Sequence, residues 1–491
     1  MISASPSNVC CPTQNWFAPY TSTGRGHPIS SRGISLMVSA VSFYPRALHQ
    51  LFTSRLGRTT KLALATLSTG LLAGVGSVAF HYIADDDLLF RWCDSHGALS
   101  RLPVVLGVPT IGLCLIGAVL QLVPQSRVGG VKEVFDALQR SSTVIPFRRI
   151  SNVILSGLVL ALGGSVGPEG PMIQMGALIG SQVGRRMGVA KGHVALMIQA
   201  GAEAGIAAAF RSPAGGVLLV LELFGARFNR GLAAIGVAAV IGYAARTAMV
   251  GDAYPFRPSV AVQSLPLATS FSIAPLMGLL AAPMGHLFIC LFKRFQTMLP
   301  VRWPLMVRVS LGGFMVGIIA IWFPQVLSAG YPVIEHSLSG GLGFQLFVIL
   351  LGLKMLATSI TFGSGAVGGL FAPTLMIGAM YGGAFGLGLH ALLPRAVPQP
   401  ELFILLGMVV MFGSIAKGYW SGLLMVADMS GCYHQLLLPG VIAGGVSFLI
   451  SWEMHDKSIF DLPIDPAEGF GTRRNRRTQH GGEVQAEEVV A

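Results

Sequence analysis

Long apolar windows separated by short polar loops recur along the chain. Clear ones are Leu62–Ile83, Leu102–Val123, Gly231–Val250, Thr269–Phe292, Leu305–Phe323 and Leu436–Ile450. Several reach the roughly 20 residues a helix needs to cross a bilayer. Other windows are shorter and broken by Gly or Pro, around Gly163–Pro171 and Gly363–Pro373. In lipid such breaks survive only where they are buried in protein or line a cavity. The pattern predicts an all-α, multi-pass membrane protein with no strand of note. A polar, disordered tail is expected from about Pro466.

Composition supports this. Of 491 residues, 53% are hydrophobic and 11% charged, too little charge to wet a soluble surface. The net charge of +12 does not argue for nucleic acid, because the basic residues sit in loops and tails. Arg55, Arg58 and Lys61 precede the first span, Lys293, Arg294 and Arg302 mark a central loop, and Arg473, Arg474, Arg476 and Arg477 follow the last span. The positive-inside rule places these, and both termini, in the cytoplasm. The acidic run Asp85–Asp87 fits the opposite side. Six scattered cysteines form neither metal spacing nor a disulfide framework, and no cofactor is implied. No signal peptide precedes the first span, and Met37 is a possible true start.

Two halves join near Lys293–Pro304 and share a faint repeat. Gly167, Pro171, Gly176, Ala177, Gly180 and Gly184 recur 202 residues later as Gly369, Pro373, Gly378, Ala379, Gly382 and Gly386. Arg211, Gly216, Val217 and Glu222 recur 206 later as Lys417, Gly422, Leu423 and Asp428. Broken helices at corresponding places in two halves are the sequence sign of a transport site near the bilayer midplane. The organisation expected is an N-terminal cytoplasmic segment 1–58, a transmembrane unit 59–462 with halves of about 59–296 and 300–462, and a polar tail 463–491.

Within Gly163–Pro171, glycines let the backbone bend and bring amides close to an ion, and Pro171 suits the first turn of a helix. That helix start offers free N–H groups and a positive dipole end, an anion site. Glu169 stands there. Charged, its carboxylate occupies the anion's own place, and protonated it leaves, which makes a gate; the plainer reading is a helix-capping acid. An acid within a membrane is costly and marks function. Gly363–Pro373 has the same design without the acid, with Gly378 and Gly382 available for helix packing. Val128–Glu133 is a weaker Gly-containing turn before a short amphipathic helix.

Together these motifs resemble the CLC family of chloride channels and chloride/proton antiporters over residues 55 to 462. Gly167–Pro171 matches the family's G-[RK]-E-G-P with Pro168 for the basic residue, Gly369–Pro373 matches G-x-F-x-P in full, and Val128–Lys132 matches G-S-G-I-P loosely. Gly205–Glu222 is also similar. The resemblance implies two inverted repeats with tilted and broken helices, and a homodimer in which each subunit has its own anion path. Helix N-termini bind the anion weakly enough for conduction. It implies Glu169 as gate and proton acceptor, and Gly129, Gly130, Val131, Gly167, Pro168, Gly170, Gly369, Leu370, Phe371, Ala372 and Phe460 as anion-binding positions. Without the C-terminal nucleotide-sensing module of many eukaryotic relatives, the chain fits a prokaryotic type in the inner membrane.

Three family positions depart. The serine of the first motif is Gly129, the inner tyrosine is Phe460, and the internal proton-transfer glutamate is Leu223. Chloride transport with weak or atypical proton coupling is the expectation. A proton-coupled antiporter, or selectivity for fluoride or nitrate, stands as an alternative. A membrane enzyme or sensor lacks support, since no paired carboxylates, His cluster or nucleophile motif occurs. Glu203, in an apolar small-residue segment, is either a buried acid paired to Arg211 or Lys354, or a substitute proton relay. Arg211, Glu222, Lys417, Asp428 and Lys354 are expected to be structural, and His193 interfacial.

Overall fold

A computed structural model describes residues 57 to 462, except 85–87, 95, 128, 140–143, 225–229, 252–253, 259–263 and 456. The expectations for Met1–Leu36, Asp85–Asp87, Val128 and the basic tail lie outside the described residues. The first half comprises α1 (Arg58–Ile83), α2 (Leu88–Asp94), α3 (Ala98–Leu122), α4 (Gly130–Gln139), α5 (Ile150–Ala161), α6 (Glu169–Arg186), α7 (Val194–Phe210), α8 (Pro213–Phe224) and α9 (Arg230–Val250). The second comprises α10 (Leu267–Gln296), α11 (Leu305–Trp322), α12 (Tyr331–Leu338), α13 (Phe344–Ser364), α14 (Phe371–Leu392), α15 (Glu401–Ala416), α16 (Tyr419–Ser430) and α17 (Tyr433–Met454). Among the described residues eight helical stretches are long and apolar enough to cross a membrane. They include α13 and α14, which flank the Gly363–Pro373 break. The protein is all-α and multi-pass; its one β-type pairing among these residues is a single antiparallel bridge, Gly167 with Gly369.

The repeat extends well beyond the motifs. After α3, Val123 N–H bonds Val119 O and Ser126 N–H bonds Val123 O; after α11, Phe323 N–H bonds Ile319 O and Val326 N–H bonds Phe323 O. Both breaks lead through a short 3-10 turn, Pro124–Ser126 and Pro324–Val326, to a glycine with positive φ, Gly130 at 65° and Gly330 at 90°. Arg211 and Lys417 end α7 and α15 with left-handed φ of 57° and 62°. A non-glycine residue there is strained, so its recurrence at equivalent positions marks one design used twice. α1 packs on α6, α7 and α9, and α10 on α13, α15 and α17. α10 thus packs on α15 and α17, the counterparts of the α7 and α9 on which α1 packs.

Equivalent helices also meet each other, as a two-fold relation between halves requires. α3 packs on α11 and α8 on α16. Glycine makes the tightest contacts possible: an added Cβ at Gly117 would lie 2.7 Å from Met306 Cα. One at Gly313 would meet Pro109 O. Inside each half, Gly176 abuts Gly201 and Gly180 abuts Met197 across α6 and α7; Gly378 abuts Gly407 and Gly382 abuts Phe403 across α14 and α15. Small residues let helices approach where lipid supplies no hydrophobic drive between them, so Gly378 and Gly382 do the packing expected of them.

Candidate anion site where the two halves meet

Both broken segments run to one point. Gly167 N–H donates to Gly369 O at 2.7 Å, and Gly369 N–H returns the bond to Gly167 O at 2.8 Å. These residues are equivalent in the repeat, so the bridge lies on the two-fold itself. It satisfies backbone groups that lipid would leave without partners. Ser165 N–H donates to Thr361 Oγ1 at 3.2 Å, and its hydroxyl pairs with Thr358 at 3.0 Å. Gly170 sits against Gly369, where a Cβ would lie 3.0 Å from its Cα.

From this bridge two helix N-termini diverge. α6 begins at Glu169 with Pro168 as N-cap, and α14 begins at Phe371 with Leu370 as N-cap; neither has a side-chain cap. The first amides of each are thus turned toward the junction, with the positive end of the helix dipole behind them. Glu169 is 1% exposed. Its Oε2 accepts from Ala372 N–H at 3.2 Å, and its Oε1 has no hydrogen-bond partner. The acid from one half thus caps the helix of the other, in the manner of an anion. Phe371 is buried between Phe210 and Phe412, with ring centroids 4.4 and 4.3 Å away. These aromatics come from the ends of α7 and α15 and wall the junction.

The first motif behaves differently. Gly130 N–H, at the start of α4, donates to Gln174 Oε1 at 2.8 Å. Gln174 also donates to Glu133, which is bound by Arg149 Nε at 2.9 Å. Gly129 is pressed against Asn152, whose amide occupies the place a Cβ would take and donates to Ser126 O at 2.6 Å. Val131 is buried against this face. Phe460, in the turn Ile459–Asp461, packs with that turn on α4 and α15; Ser458 Oγ ties the turn to Ala416 O at 2.8 Å. Gln174, Asn152 and Phe412 escaped the sequence reading. The signal for Gln174 was present: an amide side chain five residues after Glu169 in an apolar, glycine-containing run.

The remaining charged residues are engaged in contacts with the fold, several of them at helix ends. Lys354 donates to Val326 O at 3.1 Å and Ser328 O at 2.7 Å, holding the turn after α11. Glu222 caps the start of α16, accepting from Trp420 N–H at 2.8 Å and Ser421 N–H at 3.0 Å. Reciprocally, Asp428 of α16 accepts from Ser212, which caps α8. Arg211 stacks over Tyr254 at 4.9 Å, Lys417 donates to Ser451 at 2.8 Å, and His193 is exposed. The pairing of Glu203 to Arg211 or Lys354 is not found. Glu203 is wholly buried and neither oxygen has a hydrogen-bond partner.

Two helix starts without caps of their own meet at a buried bridge, inside an all-α, multi-pass membrane protein, and a carboxylate on one of them bonds an amide of the other. The profile of the voltage gated chloride channel family matches residues 111–452, and the chain belongs to this CLC family. Its members are channels and transporters, not enzymes. The chain is 33% identical over 349 residues to a putative chloride channel protein ClcB-like of Ralstonia nicotianae, covering 68% of this chain and 80% of that one. It is 28% identical over 414 residues to an H(+)/Cl(-) exchange transporter ClcA of Cronobacter sakazakii, covering 78% and 84%. Among solved structures, a slow cyanobacterial Cl-/H+ antiporter is similar with a TM-score of 0.74 at 22% identity, covering 83% of this chain and 98% of that one. A CLC-type fluoride/proton antiporter is similar with a TM-score of 0.68 at 24% identity and the same coverages.

Proposed function

We propose that the chain carries chloride across the cell membrane through a path in each subunit of a homodimer, with Glu169 as gate and proton acceptor and with atypical proton coupling. The observation that carries the reading is the bond from Ala372 N–H to Glu169 Oε2. A carboxylate that satisfies a helix N-terminus holds the place of a small anion. Protonation removes its charge and its advantage there, so the acid swings out and chloride takes the amide. Gly167, Pro168, Gly170, Leu370, Phe371 and Ala372 form the wall of that position, with Gly369 at its base. Weak binding by dipoles without a fixed cation lets the ion leave.

Atypical coupling follows from Leu223, Phe460 and Gly129, which offer neither proton nor hydroxyl where the family pattern has both. Gly129, Gly130 and Val131 serve the inner end of the path, with Gln174 holding the Gly130 amide. Basic residues near the start of α1 and the end of α6 place both termini in the cytoplasm.

The test is chloride efflux from proteoliposomes at symmetric pH. Efflux of the wild type rises as pH falls, because the protonated acid vacates the amide. In Glu169→Gln it becomes independent of pH, and in Glu169→Ala bromide binds at the Ala372 amide in a crystal. Unaltered, pH-dependent efflux in both variants refutes the gate. Competition by fluoride and nitrate in the same assay reads selectivity; chloride outruns both.

A further inference from the structure

Four buried or half-buried acids of this fold come with donors. Among the described residues, Glu133 of α4 has Arg149 and Gln174. Glu222 of α8 has two amides and the hydroxyl of Ser421, and Asp428 of α16 has Ser212 and Tyr433. Glu169 has Ala372 N–H on one oxygen. Glu203 differs from these. Its exposure is 0%, and neither carboxyl oxygen has a partner. The helices packed on α7 are α1, α4, α6, α8, α9 and α16, and among their described residues none gives either oxygen a hydrogen bond. Its carboxyl instead abuts Gly216 of α8, where any Cβ would strike both oxygens. An ionised carboxylate left so is among the costliest features a fold can carry, and one within a membrane points to function.

The packing register shows where Glu203 stands. Gly180 meets Met197, Gly176 meets Gly201, and Gly205 meets Met172. Each contact retreats four residues on α6 and advances four on α7, so the helices are antiparallel and Glu203 lies level with Gln174. Glu169 is five residues away along α6, about 7–8 Å of helix rise. The opposite end of α6 is basic, with Arg185 and Arg186. There Met187 of the α6 end clusters with Ala65 of α1 and Met197 of α7, near Lys61. Glu203 therefore sits between the Glu169 carboxyl and the basic face. Seven residues on, Phe210 of the same helix stacks on Phe371 at the junction.

We infer that Glu203 is this chain's own proton station, passing protons between the basic face and Glu169 in exchange for anion movement. The inference rests on the gate reading of Glu169. A hydrated proton at the basic side is passed to the Glu203 carboxylate, which becomes the neutral acid and leaves only water behind. Glu203 then gives that proton to the Glu169 carboxylate and returns to its charged form; no bond other than O–H is made or broken. Leu223, which cannot carry a proton, is thereby bypassed by a route on α7 rather than α8.

The experiment is simultaneous recording of chloride and proton flux in proteoliposomes with a chloride gradient, for the wild type, Glu203→Gln, Glu203→Asp and Glu169→Gln. Glutamine is near-isosteric, and the site offers no donor whose loss would disturb the fold. The wild type is expected to drive protons uphill. Glu203→Gln is expected to keep chloride flux within about threefold while proton flux falls at least about tenfold, and Glu203→Asp to restore part of it. Three results overturn the station: full proton flux in Glu203→Gln, equal loss of both fluxes, or a wild type that moves chloride with no protons. A pH-dependent chloride flux that survives unchanged in Glu169→Gln refutes the gate instead, so the two failures are told apart.

Discussion

Side-chain identity matters most where two halves crowd. Glu169 reads as a helix-capping acid in isolation, and it does cap a helix, but the helix is α14 of the other half. Capping across a two-fold turns a static contact into one that competes with an ion. Gly129 carries the other residue-scale lesson. Its departure from the family serine is matched by Asn152, which fills the vacated space and bonds Ser126 O. Restoring the hydroxyl alone is therefore expected to fail. Gly129→Ser should lower stability by about 1–3 kcal/mol through overpacking, read as a lower Tm in detergent. Pairing it with Asn152→Ala should recover most of the loss. Equal Tm for Gly129→Ser and wild type would mean that Asn152 does not hold this space.

At the scale of elements, helix ends rather than helix lengths carry the design. α6 and α14 start at the buried junction. A first-turn amide of α8 meets the hydroxyl of Ser212 just before it, and two of α16 meet the carboxyl of Glu222 from the other half. Glu222 and Asp428 serve this end-capping in mirror fashion, each reaching into the opposite half. Glu222 lies beside the family's proton-transfer position, yet its oxygens are bound to the α16 amides and Ser421. Glu222→Gln is accordingly expected to cost about 1–2 kcal/mol in stability, as a weakened cap does. The ratio of protons to chloride should stay that of the wild type. A changed ratio with unchanged Tm would make Glu222 a transport residue. Glycine rows on α6 and α7, and on α14 and α15, fix these ends in place by bringing backbones into contact.

The whole molecule is two copies of one plan related by a two-fold that passes through the Gly167–Gly369 bridge. A site on such an axis draws from both halves, which is why neither half alone holds one. Large apolar side chains remain exposed on α3, α10 and α13, among them Ile111, Leu115, Leu276, Leu279, Val348 and Ile349; they face lipid or a second subunit. A homodimer predicts that the protein in mild detergent has the mass of two chains by light scattering. Glu169→Gln in one subunit of a tandem fusion should then make that subunit's flux independent of pH and leave the partner's pH-dependent flux intact. A monomeric mass, or a pH dependence lost from both subunits, would contradict a path in each.

The sequence by itself determined the class, the membrane and the repeat, and it singled out Glu169. These rest on local properties: apolar length, glycine and proline placement, and the rarity of acids in lipid. It also marked Glu203 as odd, since a lone acid among alanines and glycines is visible without coordinates. Partners were another matter. That Lys354 would spend itself on carbonyls, that Gln174 would take the Gly130 amide, and that Glu203 would meet only Gly216 depend on which helices touch. Those contacts join residues tens to hundreds of positions apart, and the faint repeat fixed their order but not their geometry. Tertiary structure decided which oxygens have donors, because in a medium without water only a contact from another part of the fold can supply one.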